Sequence, residues 1–279
     1  MRSRLRFRSL ARRCAAALCL ILSLAVPARA GELIVGGTGS SGPLVQLLFD
    51  AHRKQAPEHT LRLIAPPLGT NGALRALEQG RVHLVMVGRP LAQAEFAKFG
   101  QHFDLADTPF VMASRDGQRR GGFSLDELAQ VYAGTLGKWD DGAPIRLVLR
   151  GEFESDTLLL KDMSGPLAEA LKTAKNRPGM AGAVNDLETV TVLAAVHGSL
   201  GPTTLGLLTT MNVRLHLFTL NGAAPTIANL KTGKYPWHKR LTVVLPQRPS
   251  PEAAAFADFL RSAKAREILL RNDYLPLAP

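Results

Sequence analysis

Short β-branched runs alternate with amphipathic helical stretches along most of this chain. That alternation restricts it to an α/β fold around a largely parallel sheet. Leu33-Ile34-Val35 reads as a buried strand that ends in the turn Gly36-Gly37-Thr38-Gly39-Ser40-Ser41-Gly42. Pro43 suits the first turn of the next helix, with Leu44, Leu47, Leu48 and Ala51 on one face. Leu61 to Ile64 is a second strand, and the loop Pro66 to Gly72 follows it. A helix carrying Ala73, Leu74 and Leu77 stops at Gly80, and Val82 to Val87 forms a third strand. Units of this kind bring loop amides to the carboxyl edge of the sheet, where open α/β folds bind ligands.

Beyond residue 100 the same grammar continues. Pro109 to Ala113 is an apolar run leading from one half of the chain into the next. Ser124-Leu125-Asp126-Glu127 has capping-box spacing and opens a helix through Leu128, Val131 and Tyr132, ended by Gly134. Asp141-Gly142 predicts a turn before the strand Ile145 to Leu149. A helix is expected over Pro166 to Ala174, then a stretch rich in Gly, Thr and Val from Gly179 to Thr210. Leu241 to Leu245 reads as a returning strand, and Ser250-Pro251-Glu252 caps a final helix containing Phe256, Phe259 and Leu260.

The first thirty residues read as an export signal. Seven arginines and no acid lie there, around an apolar run of 13 residues from Cys14 to Val26, before Pro27-Ala28-Arg29-Ala30. The run is short of the ~20 residues that span a bilayer, and cleavage is expected after Ala30. The formal charge of +11 is concentrated in this segment: setting its seven arginines aside leaves 27 basic against 23 acidic residues, or +4. A nucleic-acid partner is therefore not expected. Both cysteines, Cys14 and Cys19, fall inside the signal, so residues 31–279 use neither disulfides nor thiolate metal sites. A periplasmic monomer is the expectation.

Two loops carry the informative chemistry. In Thr38-Gly39-Ser40-Ser41 the glycine lets backbone approach a ligand, and the hydroxyls donate hydrogen bonds beside a helix start. Gly69-Thr70-Asn71-Gly72 repeats the arrangement at the end of another strand. Either loop alone is equally a polar turn; two at one sheet edge converge on a crevice. Arg89 and Arg150 follow strands and are candidate oxyanion ligands, since a guanidinium fork matches two oxygens at once. Each also fits a surface arginine packed along the sheet.

Enzymatic signatures are missing from the sequence. Pro43 stands where a Walker lysine belongs, there is no G-x-S-x-G elbow, and the seven histidines show no metal-ligand spacing. His83 is expected on an exposed strand face, and Asp140-Asp141 and Asp104/Asp107 as solvated turn carboxylates. No catalytic residue, metal ligand or cofactor is assigned.

The chain resembles the periplasmic phosphate-binding proteins of ABC importers. Thr38-Gly39-Ser40-Ser41 is similar to that family's first ligand loop and Gly69-Thr70-Asn71-Gly72 to its second. Leu128 to Asp141, "LAQVYAGTLGKWDD", resembles its helix-turn segment, and Arg150 with Ser155-Asp156-Thr157 its Arg…Ser-Gly-Thr segment. Gly201-Pro202 to Gly206, Asn221-Gly222, Pro225-Thr226 and "NLKTGKYP" resemble its late signature. The resemblance implies a two-lobed type II periplasmic-binding-protein fold with a hinge and an interlobe ligand cleft. Lobe 1 would comprise residues 31–112 plus 245–279, and lobe 2 residues 113–244. It implies phosphate or a similar oxyanion as ligand, an inner-membrane ABC permease as partner, and a site formed by Thr38, Gly39, Ser40, Ser41, Gly69, Thr70, Asn71, Arg89, Arg150, Ser155, Asp156 and Thr157. A sensing adaptor or an exported enzyme on the same scaffold are the alternatives.

Two positions depart from the family pattern. The aspartate that accepts the proton of bound phosphate belongs near Gly88, and Asp156 replaces the glycine of Ser-Gly-Thr. A carboxylate about 4 Å from an anion costs on the order of 4 kcal/mol per charge pair at an effective dielectric near 20. Asp156 escapes that cost if it accepts a hydrogen bond from protonated phosphate, with Arg89 and Arg150 balancing its charge. Otherwise it points away, or the ligand is a different anion.

Overall fold

The computed structural model describes residues 31–116 and 120–278; the expected export signal lies outside them. The first half contains β1 (Glu32–Gly37), a 3₁₀ turn Gly39–Ser41, α1 (Gly42–His52), β2 (Thr60–Leu63), α2 (Gly69–Glu78), β3 (Leu84–Val87) and the short α3 (Gln93–Phe96). A 14-residue strand β4 (Gln101–Ser114) leads on to β5 (Gly122–Phe123), α4 (Leu125–Ala133), β6 (Arg146–Leu149), α5 (Ser155–Met163) and α6 (Gly165–Ala174). Next come β7 (Ala181–Gly182), α7 (Asp186–Ala195), β8 (Ser199–Thr204), α8 (Leu205–Thr210), β9 (His216–Leu217), β10 (Thr219–Leu220) and α9 (Ile227–Lys231). The chain closes with β11 (His238–Leu245), α10 (Pro251–Leu260), α11 (Ala263–Arg271) and β12 (Leu275–Pro276).

One sheet runs in the order β2-β1-β3-β11-β4-β8-β6-β7, with β9 and β12 also pairing β4. It is parallel at both ends, where β1 pairs β2 and β3, and β6 pairs β7 and β8. Through the middle it is antiparallel, because β4 and β11 run against each other and against their neighbours. The largely parallel sheet expected from the sequence is therefore confined to the two ends. β4 pairs β11 from Gln101 to Pro109 and β8 from Phe110 to Ala113.

The hydrophobic clusters change over at the same place. One set joins Leu33, Leu44, Phe49 and Leu84 to Ala106, Leu241, Phe256 and Tyr274, with Leu74, Leu77, Val85 and Val244 packed on the other face. The other gathers Phe110, Met112, Leu128, Tyr132, Trp139 and Tyr235, with Val111, Val148, Leu193 and Leu207 opposite. Each fully buried Leu or Phe contributes roughly 1.5–3 kcal/mol. The changeover, between Ala106 and Phe110 and between Tyr235 and Leu241, lies a few residues before Met112 and Val244.

Local signals explain the elements that place the later side chains. Ser124 accepts from the Glu127 amide at 3.1 Å while Glu127 accepts from the Ser124 amide at 2.8 Å, and Gly134 closes α4 at φ 89°. Trp139 is buried, stacks on Phe218 at 5.5 Å and donates from Nε1 to Gly198 O at 3.1 Å. After Gly233, Tyr235 buries its ring and donates to Phe110 O at 2.6 Å, which fixes the entry of β11.

Some expectations are corrected. Asp104 and Asp107 are strand residues, not turn carboxylates; Asp107 is buried and faces Arg240 directly across the ladder, with Arg240 bonded to both. His83 is half-buried and accepts at Nδ1 from the Ile34 amide. The stretch Gly179 to Thr210 holds two helices and the wholly buried β8, and α10 is followed by a further helix with Ser262 as its cap.

Gly206 at the start of α8 is required by a close approach: a Cβ there would lie 2.4 Å from the Tyr274 ring. Gly206→Ala is expected to lose roughly 1–3 kcal/mol in urea unfolding through overpacking. Gly165→Ala, at a helix start with open space around it, is expected to lose none. Equal stabilities for the two variants would contradict this packing.

Candidate functional site

The two hydroxyl loops and the start of α5 come together around a buried pair of cations. Thr38 follows β1, its amide bonded to Met86 O at 3.1 Å, and Ser41 turns its hydroxyl back onto Thr38 O at 2.8 Å. The Thr38 hydroxyl, with Ser40 Oγ 3.4 Å away, donates to Asp186 Oδ2 at 3.0 Å. A Cβ on Gly39 would lie 2.9 Å from that same carboxylate, so α7 packs directly onto the loop. From the second loop, Thr70 Oγ1 accepts from the Gly88 amide at 3.1 Å. Gly69, at φ 67°, faces the Glu154 carboxylate, and Gly88 faces Ser155 Oγ.

At the centre stand Arg150, Lys239, Asp156 and Asp186, whose side chains are at most 3% exposed. Lys239 Nζ donates to Asp156 Oδ1 and to Asp186 Oδ1, both at 2.6 Å. Arg150 Nη1 donates to Asp156 Oδ2 at 3.1 Å and lies 3.2 Å from Asp186 Oδ1, while Nη2 donates to Glu154 Oε2 at 2.6 Å. Burial opposes charge on all four. For Asp186, Lys239 and Arg150 outweigh burial and, with the Thr38 hydroxyl, hold the carboxyl well below its ordinary range. For Asp156, burial wins and the neighbouring Asp186 charge adds to it, so its pKa is raised. Lys239 and Arg150 are both raised, because the facing carboxylates outweigh burial.

The site residues predicted from sequence thus divide. Thr38, Gly39, Ser40, Gly69, Thr70, Arg150, Ser155 and Asp156 gather here, and the Ser41 hydroxyl serves its own loop. Arg89 lines a cavity with Gly69, Thr70, Asn71 and Ser155 but makes no bond to the ion cluster: its two terminal nitrogens donate to Glu95 at 2.8 and 2.9 Å and to Asn71 Oδ1 at 3.2 Å. Glu95 raises the Arg89 pKa, and Arg89 lowers that of Glu95. Thr157 lines a different cavity, with Tyr132. The charge that balances Asp156 is therefore Lys239 with Arg150, not Arg89.

Lys239 and Asp186 are absent from the sequence-based set. Asp186 had a local signal: Asn185 accepts from the Glu188 amide at 2.9 Å, the Asn-x-x-Glu mark of a helix start. Lys239 had none, because a lysine beside His238 and Arg240 reads as part of a solvated basic run. The structure also accounts for Gly88. Any Cβ there would lie 2.6 Å from Lys239 Cε, so the lysine stem uses the space that an aspartate would need.

The architecture is the α/β fold of periplasmic binding proteins. A solved structure from Clostridium perfringens, with bound phosphate and ascribed to a phosphate ABC transporter as its substrate-binding protein, is 15% identical with a TM-score of 0.76. It covers 88% of this chain and 100% of that one. An ABC-type phosphate transport receptor from Vibrio cholerae is 16% identical with a TM-score of 0.64, covering 88% and 99%. In sequence, 110 residues are 28% identical to phosphate-binding protein PstS 2 of Streptococcus pneumoniae, spanning 39% of this chain and 37% of that protein. The model of the PBP superfamily domain matches residues 24–264, and the chain belongs to that family.

Removing one member of a buried ion cluster leaves a charge uncompensated, at a cost of about 3–5 kcal/mol. Lys239→Met is expected to lose about that much in urea unfolding, because Arg150, already bonded to Glu154, is then the one cation among the described residues facing Asp156 and Asp186. Adding Asp156→Asn to Lys239→Met is expected to restore part of the loss, as contacting residues are not additive. A Lys239→Met loss within about 1 kcal/mol of wild type would show that the cluster contributes little.

Proposed function

We propose that this chain is an exported receptor that captures phosphate or a similar small oxyanion and presents it to an inner-membrane ABC permease. The carrying observation is the convergence of Thr38, Ser40, Thr70, the Gly88 backbone and Ser155 on Arg150 and Lys239. Hydroxyls, amides and a cation pair at one point are what an oxyanion needs. Residues 1–30 act as the export signal, removed after Ala30. Residues 31–112 with 245–279, and 113–244, move as two lobes about β4 and β11, and a monomer suffices. The role is capture without catalysis.

In this reading Asp186 is a tethered stand-in for the ligand. Its carboxylate takes the Thr38 hydroxyl and the Lys239 ammonium, the donors that an incoming anion would use. Binding is then an exchange: the halves part, Asp186 leaves with α7, and the anion takes its place. Asp156, held as an acceptor by Lys239 and Arg150, accepts a hydrogen bond from protonated phosphate. Sulfate has no such proton at neutral pH.

A second reading is favoured by the charge count. Arg150 and Lys239 already face Asp156, Asp186 and Glu154, which leaves no positive excess to draw an anion in. An adaptor that presents a surface without a ligand would have such a site.

Thermal unfolding of wild type and Asp186→Asn, with and without phosphate or sulfate, separates the two. The variant is expected to be less stable than wild type and to recover with phosphate, by about 2.7 kcal/mol at one hundred times its Kd, but not with sulfate. Recovery by sulfate to the same extent would reject the hydrogen-bond-accepting role of Asp156. No response of either protein to any oxyanion would reject the receptor and leave the adaptor.

A further inference from the structure

A further cavity, of about 450 Å³, opens between α5, the turn after β3 and the entry of β11. That volume lies within the roughly 300–1,000 Å³ of small-molecule sites. One stripe of α5 lines it, Ser155, Leu158, Leu159, Asp162 and Met163, at the spacing of a single helix face. Leu158 is 39% exposed, so this face of α5 is open rather than packed. Pro90, Pro236 and Trp237 supply the other apolar walls.

Charge decides what fits. Arg240, in the lining, is held by Asp107 through two nitrogens at 2.8 Å and by Asp104 at 3.0 Å. Arg89 is held by Glu95 and Asn71. Asp162 differs: it is exposed and has no ion pair or hydrogen bond among the described residues, its neighbour Lys161 turning instead to Glu152 at 3.5 Å. It also lies in the last turn of α5, where the helix end carries partial negative charge and favours a cation.

We propose that this cavity binds a small arylalkyl amine, its ammonium on Asp162 and its ring against Trp237 and Met163. The lining guanidinium groups are already matched by carboxylates and Asp162 is not, so the site draws a cation rather than an anion. Indole and thioether walls suit a flat ring, and an ammonium beside an indole gains cation–π attraction. Ser155 and Asp162 are seven residues apart, about 10 Å along the helix, which accommodates a ring with a short amine arm. The groups that meet the ligand are within its reach, with Asp162 exposed and Trp237 and Met163 half-buried.

The proposal does not depend on the receptor reading, whose site is the ion cluster. Its test is calorimetric titration of the protein at neutral pH with phenethylamine, phenethyl alcohol and phenylacetate, which share a ring and differ in charge. Saturable binding of the amine is expected, tighter than that of the alcohol, with phenylacetate weakest. Asp162→Asn is expected to weaken the amine on the order of fivefold, the upper worth of a solvent-screened ion pair, and to leave the alcohol unchanged. Trp237→Leu is expected to weaken amine and alcohol alike. If that variant fails to fold by circular dichroism, the exposed Asp162 and the charge series decide. Absence of amine binding, phenylacetate binding as tightly as the amine, or amine binding indifferent to Asp162→Asn would overturn the proposal. Phosphate binding lost in Asp186→Asn would concern the ion cluster alone.

Discussion

A lysine buried to the last atom governs this structure. An ammonium taken out of water carries a penalty of several kcal/mol that only close carboxylates offset, and Lys239 meets two of them at 2.6 Å. Those carboxylates arrive from α5 and α7, elements of the second set of clusters, while Lys239 sits at the start of the strand that runs into the first. Asp186 reaches further, to the Thr38 hydroxyl just past β1. The cluster therefore ties together segments 53, 83 and 148 residues apart, and nothing apolar could hold that geometry with the same directional demand.

The two departures from the phosphate-binding pattern become one through Lys239. A carboxylate at position 156 needs a local cation; Lys239 supplies it, and the stem of Lys239 excludes a side chain at position 88. An aspartate could not return to position 88 while the lysine stays, nor could the lysine leave without stranding Asp156 and Asp186. The three positions are physically interlocked. Compensation happens at the level of the cluster, so a motif compared position by position shows only isolated mismatches.

What was legible follows from how local each signal is. The strand–loop–helix units around Thr38 and Thr70, the Ser124 capping box, the Gly134 stop and the turn at Gly142 all act within a few residues and were readable. The length of β4 was not, since its polar front half, with Asp104 and Asp107, becomes strand only because Arg240 lies opposite on β11. The pairing of Arg89 is hidden in the same way: Glu95, six residues on, claims both of its terminal nitrogens. Lys239 was invisible because its burial depends on two partners brought in by distant helices. Pair-dependent charges are written in the fold, whereas caps and glycine turns are written in the chain.

The role proposed for Asp186 as a tethered stand-in would also set how such a receptor works. A tethered anion competes with a free one at an effective concentration in the millimolar range or above, so exchange lowers apparent affinity relative to a site kept open. The same tether pairs Asp186 with Lys239 and Arg150, which in the proposed receptor would remove the cost of closing over unpaired cations. Closure of such a receptor would then not require ligand. In the receptor proposed above, a permease would have to distinguish bound from unbound protein by something finer than open against closed, and α7, which carries Asp186 against the Thr38 loop, would be the element to differ.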